Sequence, residues 1–112
     1  MARNIFKHRR KGPPFVMLTH PMMDSPAFND LKQSSVVVLI SIMRRYNGMN
    51  GTPDEPIVCT YNAMKCGLAG STVGRAIKEL EAHGFIERIS NGGLEKNPNR
   101  YVLTDGWKAW KK

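Results

Sequence analysis

Residues 67–90 are GLAGSTVGRAIKELEAHGFIERIS, and the apolar spacing within them decides the fold. Four apolar side chains recur at i, i+3, i+4 and i+7, the period of one α-helical face. They are Val73, Ala76, Ile77 and Leu80, which we expect to be core. The pattern predicts a helix that begins near Ser71, is capped by Ser71 or Thr72, and ends at Gly84. The polar side chains of its opposite face are Thr72, Arg75, Lys78, Glu79 and Glu81.

Short predicted elements lie on both sides of this helix. Upstream, residues 57–59 are typical of a strand, residues 61–66 of a two-turn helix capped by Thr60, and residues 67–70 of a tight turn. Downstream, strands over 85–90 and 100–103 form a hairpin whose turn starts at Asn91-Gly92-Gly93. This order is that of a helix-turn-helix followed by a wing. The predicted class is mainly α with a small β-hairpin (α+β), a winged helix-turn-helix with a three-helix core plus wing.

The N-terminal half predicts further core elements. Residues 15–18 are apolar and are expected to be extended and laid against the core. Asp24-Ser25-Pro26 is typical of a helix start, and this brief helix is expected to end near Leu31. A longer helix opens at Gln33-Ser34-Ser35 and ends at Asn47-Gly48. Its apolar residues at helical spacing are Val36, Val37, Ile40 and Met43, with Leu39 on a flanking stripe.

Residues 57–90 resemble the winged helix-turn-helix of bacterial regulators. The segment from Ser71 to Ile86 is similar to the pattern Ser-x-x-Thr-Val-x-Arg-Ala-Ile-x-x-Leu-x-x-x-Gly-Phe-Ile, shortened by two residues before Thr72. The upstream part, residues 24–48, further resembles small phage, plasmid and integrative-element proteins, and the DNA-binding part of phage replication proteins is also similar. The resemblance covers roughly residues 15–104 and implies sequence-selective binding of double-stranded DNA.

The resemblance also implies which residues contact DNA. Ser71, Thr72 and Arg75 match groove-facing positions, and a guanidinium such as that of Arg75 can bond guanine O6 and N7 together. Gly74 departs from the Ser or Asn common at its position, which removes one contact. Expected backbone contacts are Tyr61, Asn62, Lys65 and Lys78. Expected wing contacts, to the minor groove or adjacent phosphates, are Lys96, Asn97, Asn99 and Arg100.

The charge is concentrated at the two ends of the chain. The net charge is +8, and residues 12–106 carry nine Lys/Arg against nine Asp/Glu, so the termini hold the whole excess. Such ends favour a polyanionic partner, although solvated tails are the alternative. We expect a flexible basic arm over 1–14, a winged helix-turn-helix domain over 15–104 and a basic tail over 105–112. The arm's cations, which could enter a minor groove, are Arg3, Lys7, Arg9, Arg10 and Lys11.

Other classes of protein find little support in the sequence. No apolar run of about 18 residues spans a membrane and no secretory signal opens the chain, so a cytoplasmic location is expected. Cys59 and Cys66 fit buried, reduced thiols better than a metal site, which would need two more ligands. No phosphate-binding loop or catalytic constellation is evident, so neither enzymatic activity nor a cofactor is expected. Trp107 and Trp110 are expected to pack a C-terminal turn onto the core.

Three functions remain open from the sequence. The first is transcriptional regulation in a phage, plasmid or other mobile element, and the second is binding to a replication origin or attachment site. The third is a winged helix that binds protein or RNA, since fold alone does not decide function. A homodimer is compatible with each function, and no small-molecule ligand is evident.

Overall fold

The computed structural model of the protein describes residues 15–60, 67–90 and 99–112, with the backbone alone for Ser90 and Asn99. In this part of the chain, four α-helices combine with a small antiparallel sheet, which confirms the α+β class. None of the described helices is long and apolar enough to cross a membrane. In chain order the elements are α1 (His20–Asp24), α2 (Pro26–Asn29), α3 (Gln33–Met43), β1 (Ile57–Cys59), α4 (Gly70–Ala82), β2 (Ile86–Ser90), β3 (Asn99–Leu103) and a 3-10 turn (Gly106–Lys108).

Two short helices precede α3, and a hydroxyl caps each of them. Thr19 and Ser25 each accept a hydrogen bond from the amide three residues later, at 3.3 and 3.1 Å. Each helix also has a proline in its first turn, where the missing amide has no helical partner to lose. The predicted start at Ser25 is therefore confirmed. The predicted end near Leu31 lies within two residues of the observed end at Asn29, whereas α1 was not predicted.

The buried face of α3 differs from the predicted one. Its buried residues are Ser35, Val38, Leu39, Ser41 and Ile42. Of the predicted stripe, Leu39 belongs to the core and Met43 packs against it. In contrast, Ile40 is 37% exposed, and Val36 and Val37 are only half-buried. The prediction for those three residues is wrong. Five consecutive apolar residues cover every side of a helix, so their spacing could not select one face.

The core lies between α3, α4 and the inner face of the sheet. As predicted, Val73, Ile77 and Leu80 are fully buried, and they meet Val38 and Ile42 of α3 in one hydrophobic cluster. Cys59 at the end of β1 is buried, as expected, while Cys66 lies outside the described residues. The expectation for residues 15–18 is wrong in part, because Phe15 and Met17 are 50% and 40% exposed.

Strand β3 is the centre of a three-stranded sheet with the order β1-β3-β2. The predicted hairpin pairing of β2 with β3 is confirmed, with Ile86 opposite Leu103, and its turn lies outside the described residues. On the other side, β1 pairs antiparallel with β3 and places Ile57 opposite the fully buried Tyr101. The sheet therefore covers one side of α4 and fixes the direction of the chain on both sides of it.

The C-terminal residues pack onto the fold at the end of α4. Gly84 has φ +86, and its carbonyl accepts hydrogen bonds from the Trp107 amide at 3.1 Å and from the Thr104 hydroxyl. Trp107 is 8% exposed and stacks on Phe85, with 6.2 Å between ring centroids. The expected packing of a tryptophan-bearing C-terminal turn on the core is confirmed.

Candidate functional site

The solvent side of α4 is a narrow stripe of four residues. Ser71, Arg75, Lys78 and Ala82 follow one another at spacings of four, three and four residues, and all four are exposed. This spacing places their side chains on one line along the helix, opposite the buried Val73, Ala76, Ile77 and Leu80. We call these four exposed residues the solvent stripe. Within the described residues, Arg75 and Lys78 form no ion pair, so both cations face solvent unpaired.

The two acids of α4 lie on the flanks of the helix and not on its solvent stripe. The Glu79 carboxylate reaches α3: its Oε1 accepts hydrogen bonds from the Lys32 amide at 3.0 Å and from the Ser35 hydroxyl. Lys32 is the residue before α3 and provides no side-chain cap, so Glu79 caps that helix from a neighbouring one. The prediction that grouped Glu79 with Arg75 on one open polar face is therefore wrong.

Local electrostatics favour the ionised form of Glu79. Burial by itself raises the pKa of this carboxyl group, since its side chain is only 17% exposed. The hydrogen bonds from Ser35 and from the Lys32 amide, together with the Lys32 and His83 charges, more than offset burial and lower the pKa below its ordinary value. The carboxylate is therefore charged and held in place at neutral pH.

Glu81 lies on the opposite flank, where it covers an edge of the sheet. One carboxylate oxygen is 3.6 Å from the Arg88 guanidinium, and the other accepts a hydrogen bond from the Arg88 amide at 3.3 Å. That amide belongs to β2, an edge strand whose unpaired groups would otherwise be open to solvent. Because both acids contact the protein's own chain, Arg75 and Lys78 supply the only formal charges of the solvent stripe.

Helix α4 begins without the predicted cap. It starts at Gly70 with Ala69 as its N-cap residue, and no side chain bonds to the first turn within the described residues. The prediction that Ser71 or Thr72 caps the helix is wrong, since both lie inside it. Ser71 is exposed and Thr72 is half-buried, which leaves both hydroxyl groups at the helix start. The first amides of a helix have no backbone acceptor and give this end a partial positive charge.

A groove runs between α4 and the start of α3, beside the solvent stripe. Its volume is about 260 Å³. Thr72 and Arg75 form one wall, Lys32 and Ser34 form the other, and Glu79 lies between the two helices. The contribution of Lys32 and Ser34 was not predicted, because nothing local in the sequence places residue 32 beside residue 79.

The structure describes only part of the predicted contact set. Arg100 is half-buried on β3, where its backbone lies opposite Val58 of β1 and Ser90 of β2. The side chain of Asn99 is not among the described atoms. Predicted contacts outside the described residues are Tyr61, Asn62, Lys65, Lys96, Asn97, Arg3, Lys7, Arg9, Arg10 and Lys11. The described members of the predicted set therefore lie on α4 and β3.

A second polar cluster, which the sequence analysis also missed, closes the far end of α4. The ring of the buried His83 places Nε2 2.8 Å from Asp30 Oδ2 and Nδ1 2.9 Å from the Glu79 carbonyl oxygen. Trp110 stacks on this ring with 4.4 Å between centroids, and Lys112 Nζ lies 3.3 Å from the other Asp30 oxygen. The hydrogen bonds from His83 and Lys112 lower the pKa of Asp30. This cluster attaches the C-terminal residues to α2 and α4.

No protein-family model, no curated protein and no solved structure matches the chain. Within residues 15–60, 67–90 and 99–112, no three His, Cys, Asp or Glu side chains lie close enough together to hold a metal ion. The geometry and charge of α4 are therefore the basis for assigning a function.

Proposed function

We propose that the protein is a winged helix-turn-helix protein that binds double-stranded DNA sequence-selectively, with α4 as its recognition helix. One observation carries this proposal: the solvent stripe of α4 is cationic because Glu79 and Glu81 are engaged elsewhere in the fold. Both acids are held by contacts within the fold, so neither carboxylate lies on the solvent stripe. A polyanion favours such a face, with Arg75 and Lys78 and no carboxylate.

The dimensions of α4 suit a duplex. A helix with its side chains is about 10–12 Å wide and the major groove of B-DNA about 12 Å, so α4 can enter it. Ser71 and Arg75, nearest the N-terminal end of the solvent stripe, would meet base edges, with the Arg75 guanidinium on guanine O6 and N7. Lys78 lies about one turn farther along the helix and would meet a phosphate.

The pairing of β2 with β3 next to α4 supports the assignment of these strands as a wing. They follow α4 directly, and β3 is fixed between β2 and β1, so the hairpin has a defined orientation relative to the helix. Arg100 of β3 would serve the wing's contact with the minor groove or with adjacent phosphates.

The biological role that the sequence resemblance favours is transcriptional regulation in a phage, plasmid or other mobile element. Binding to an origin or an attachment site would use the same surface, so the location of bound sites separates the two roles. Promoter-proximal sites support regulation, whereas sites clustered at origins or recombination sites support the second role. The spacing of half-sites in the same data distinguishes a monomer from a two-fold dimer.

Selection from a random duplex library, followed by titration of the enriched duplex, tests the proposal. The chain should enrich a defined sequence, and its affinity for that duplex should fall roughly tenfold or more between low and physiological salt. Arg75→Ala should weaken specific binding by about 1–3 kcal/mol and relax the preference at one base pair. Arg44→Ala is the matched control, because Arg44 is exposed at the end of α3 and forms no ion pair in the described part of the chain.

Three results would contradict the proposal. They are failure to enrich any duplex, salt-insensitive binding, and equal losses in the Arg75 and Arg44 variants. Preferential binding to an RNA hairpin would favour the RNA alternative, since the deep, narrow major groove of A-form RNA does not admit a helix.

A further inference from the structure

The groove beside the solvent stripe contains polar groups that the proposed base contacts do not use. Lys32 is highly exposed, with 80% of its side chain open to solvent, and it stands on the α3 side with Ser34. Thr72 faces them from α4. These three residues offer one ammonium group and two hydroxyl donors at the border of the helix that would enter DNA.

Among the described residues, the one acid that lines this groove, Glu79, is already hydrogen-bonded. Both donors to Glu79 Oε1, the Lys32 amide and the Ser35 hydroxyl, belong to the start of α3. The Lys32 ammonium lies 3.9 Å from Glu79 Oε2, a long and solvent-screened ion pair that leaves it free to reach outward. Glu79 therefore fixes the position of the Lys32 backbone, and the groove lining holds two cations, Lys32 and Arg75, against this one carboxylate.

A helix in the major groove has a sugar–phosphate strand on each side, because helix and groove are of nearly equal width. On one side of α4 that strand would meet β2 and the Glu81–Arg88 pair. On the other side it would meet the groove between α4 and the start of α3. The position of Lys32, Ser34 and Thr72 thus coincides with the expected path of a phosphate.

We propose that this groove binds one phosphodiester of duplex DNA, held by the Lys32 ammonium and the hydroxyls of Ser34 and Thr72. The inference rests on the proposed function and refines it: Thr72 contacts the DNA backbone and not a base edge, while Arg75 remains free for the base. The contact fixes the depth and rotation of α4 in the major groove without selecting sequence. The start of α3 thereby becomes part of the DNA interface.

The test compares Lys32→Gln with Lys111→Gln on the enriched duplex and on an unrelated duplex. Lys111 is the matched control because it is an exposed lysine near Trp110, at the far end of α4. Loss of a phosphate contact should weaken binding of Lys32→Gln to both duplexes by a similar factor, about three- to tenfold at physiological salt. The slope of log K against log salt should fall in magnitude by about 1. Lys32→Arg should restore both the affinity and this slope.

A second measurement locates the phosphate itself. Duplexes that carry a single neutral methylphosphonate at successive positions are titrated with the wild-type protein and with Lys32→Gln. At one position the methylphosphonate should weaken binding by the wild type. At that same position it should not weaken binding by Lys32→Gln any further. Thermal unfolding of each variant shows whether it is folded; because Lys32 is exposed, its substitution should leave the midpoint unchanged.

The outcomes separate this inference from the proposed function. If the wild type binds no duplex, both fail. Two results would overturn the groove site alone, provided that the wild type and Arg75→Ala behave as proposed. In the first, Lys32→Gln binds DNA as tightly as Lys111→Gln does. In the second, Lys32→Gln changes the preferred sequence and leaves the salt slope unchanged.

Discussion

Removal of the Glu79 carboxylate should loosen the contact between α3 and α4. In Glu79→Ala, the hydroxyl of Ser35, which is 1% exposed, loses its acceptor, and the start of α3 loses its cap. A hydrogen bond to a charged group contributes about 1.5–3 kcal/mol, and a helix cap about 0.5–2 kcal/mol. The Lys32 amide can turn to water, so the two values do not add fully. We expect a loss of about 2–4 kcal/mol in the free energy of unfolding.

Urea denaturation followed by tryptophan fluorescence measures this loss, and a double-mutant cycle isolates its origin. Ser35→Ala removes the donor of the same hydrogen bond, so the losses of Glu79→Ala and Ser35→Ala should be non-additive by about 1–2 kcal/mol. Glu79→Gln keeps an acceptor and should lose less than Glu79→Ala. Glu87→Ala is the control, because Glu87 is an exposed acid on β2. Strict additivity, or a loss in Glu79→Ala no larger than in Glu87→Ala, would refute the reasoning.

The same variant carries a pH signature. The pKa of Glu79 in the folded protein lies below its ordinary value of 4.5, so the carboxylate contributes stability that is complete above that value. As the pH falls below 4.5 towards the folded pKa, the unfolded chain binds more protons than the folded one, and this stability is lost. Glu79→Ala should therefore lose less stability on acidification than the wild type does. An unchanged acid slope would contradict the assignment of the charged hydrogen bonds to this residue.

Three further predictions concern the far end of α4. A Cβ on Gly84 would lie 2.5 Å from backbone atoms of Gly106 and Trp107, and the positive φ of this residue disfavours any side chain. Gly84→Ala should therefore lower the free energy of unfolding by about 3 kcal/mol or more. A neutral effect in urea titration would disprove the close approach. The pKa of Asp30 is lowered mainly by the His83 hydrogen bond, so Asp30→Asn should lose less stability than the wild type as the pH falls below 3.8. If the free energy of unfolding of this variant falls with pH as steeply as that of the wild type, the result would argue against that contact. Trp110→Ala should cost about 1–3 kcal/mol while leaving DNA affinity unchanged, and weaker binding by the folded variant would bring the C-terminal residues into the interface.

Apolar spacing in the sequence is most informative where a helix has one apolar and one polar side. The spacing of Val73, Ile77 and Leu80 predicted the buried side of α4, and Gly84 marked its end to within two residues. In α3 the same method failed, because the apolar run over 36–40 has no preferred side. The inner face of that helix includes Ser35, which sequence patterns would assign to solvent.

The missed interactions share a physical cause, which is distance along the chain. Ser35 can be buried because Glu79, 44 residues later, accepts its hydroxyl hydrogen, and His83 can be buried because Asp30, 53 residues earlier, contacts its ring. Local periodicity contains no information about such pairs. The candidate site is affected in the same way: Arg75 was predictable from its place on α4, whereas Lys32 enters the site only through tertiary packing.

The position of the C-terminal residues changes how the net charge should be interpreted. Lys112 pairs with Asp30, and Trp110 stacks on His83, so these residues lie at the end of α4 opposite Ser71. A helix of 13 residues is about 20 Å long, twice the Debye length of about 10 Å in 0.1 M salt. The C-terminal lysines are therefore screened from the N-terminal half of the solvent stripe, and they should contribute little to binding there. We expect the salt dependence of binding to owe little to the three C-terminal lysines, Lys108, Lys111 and Lys112.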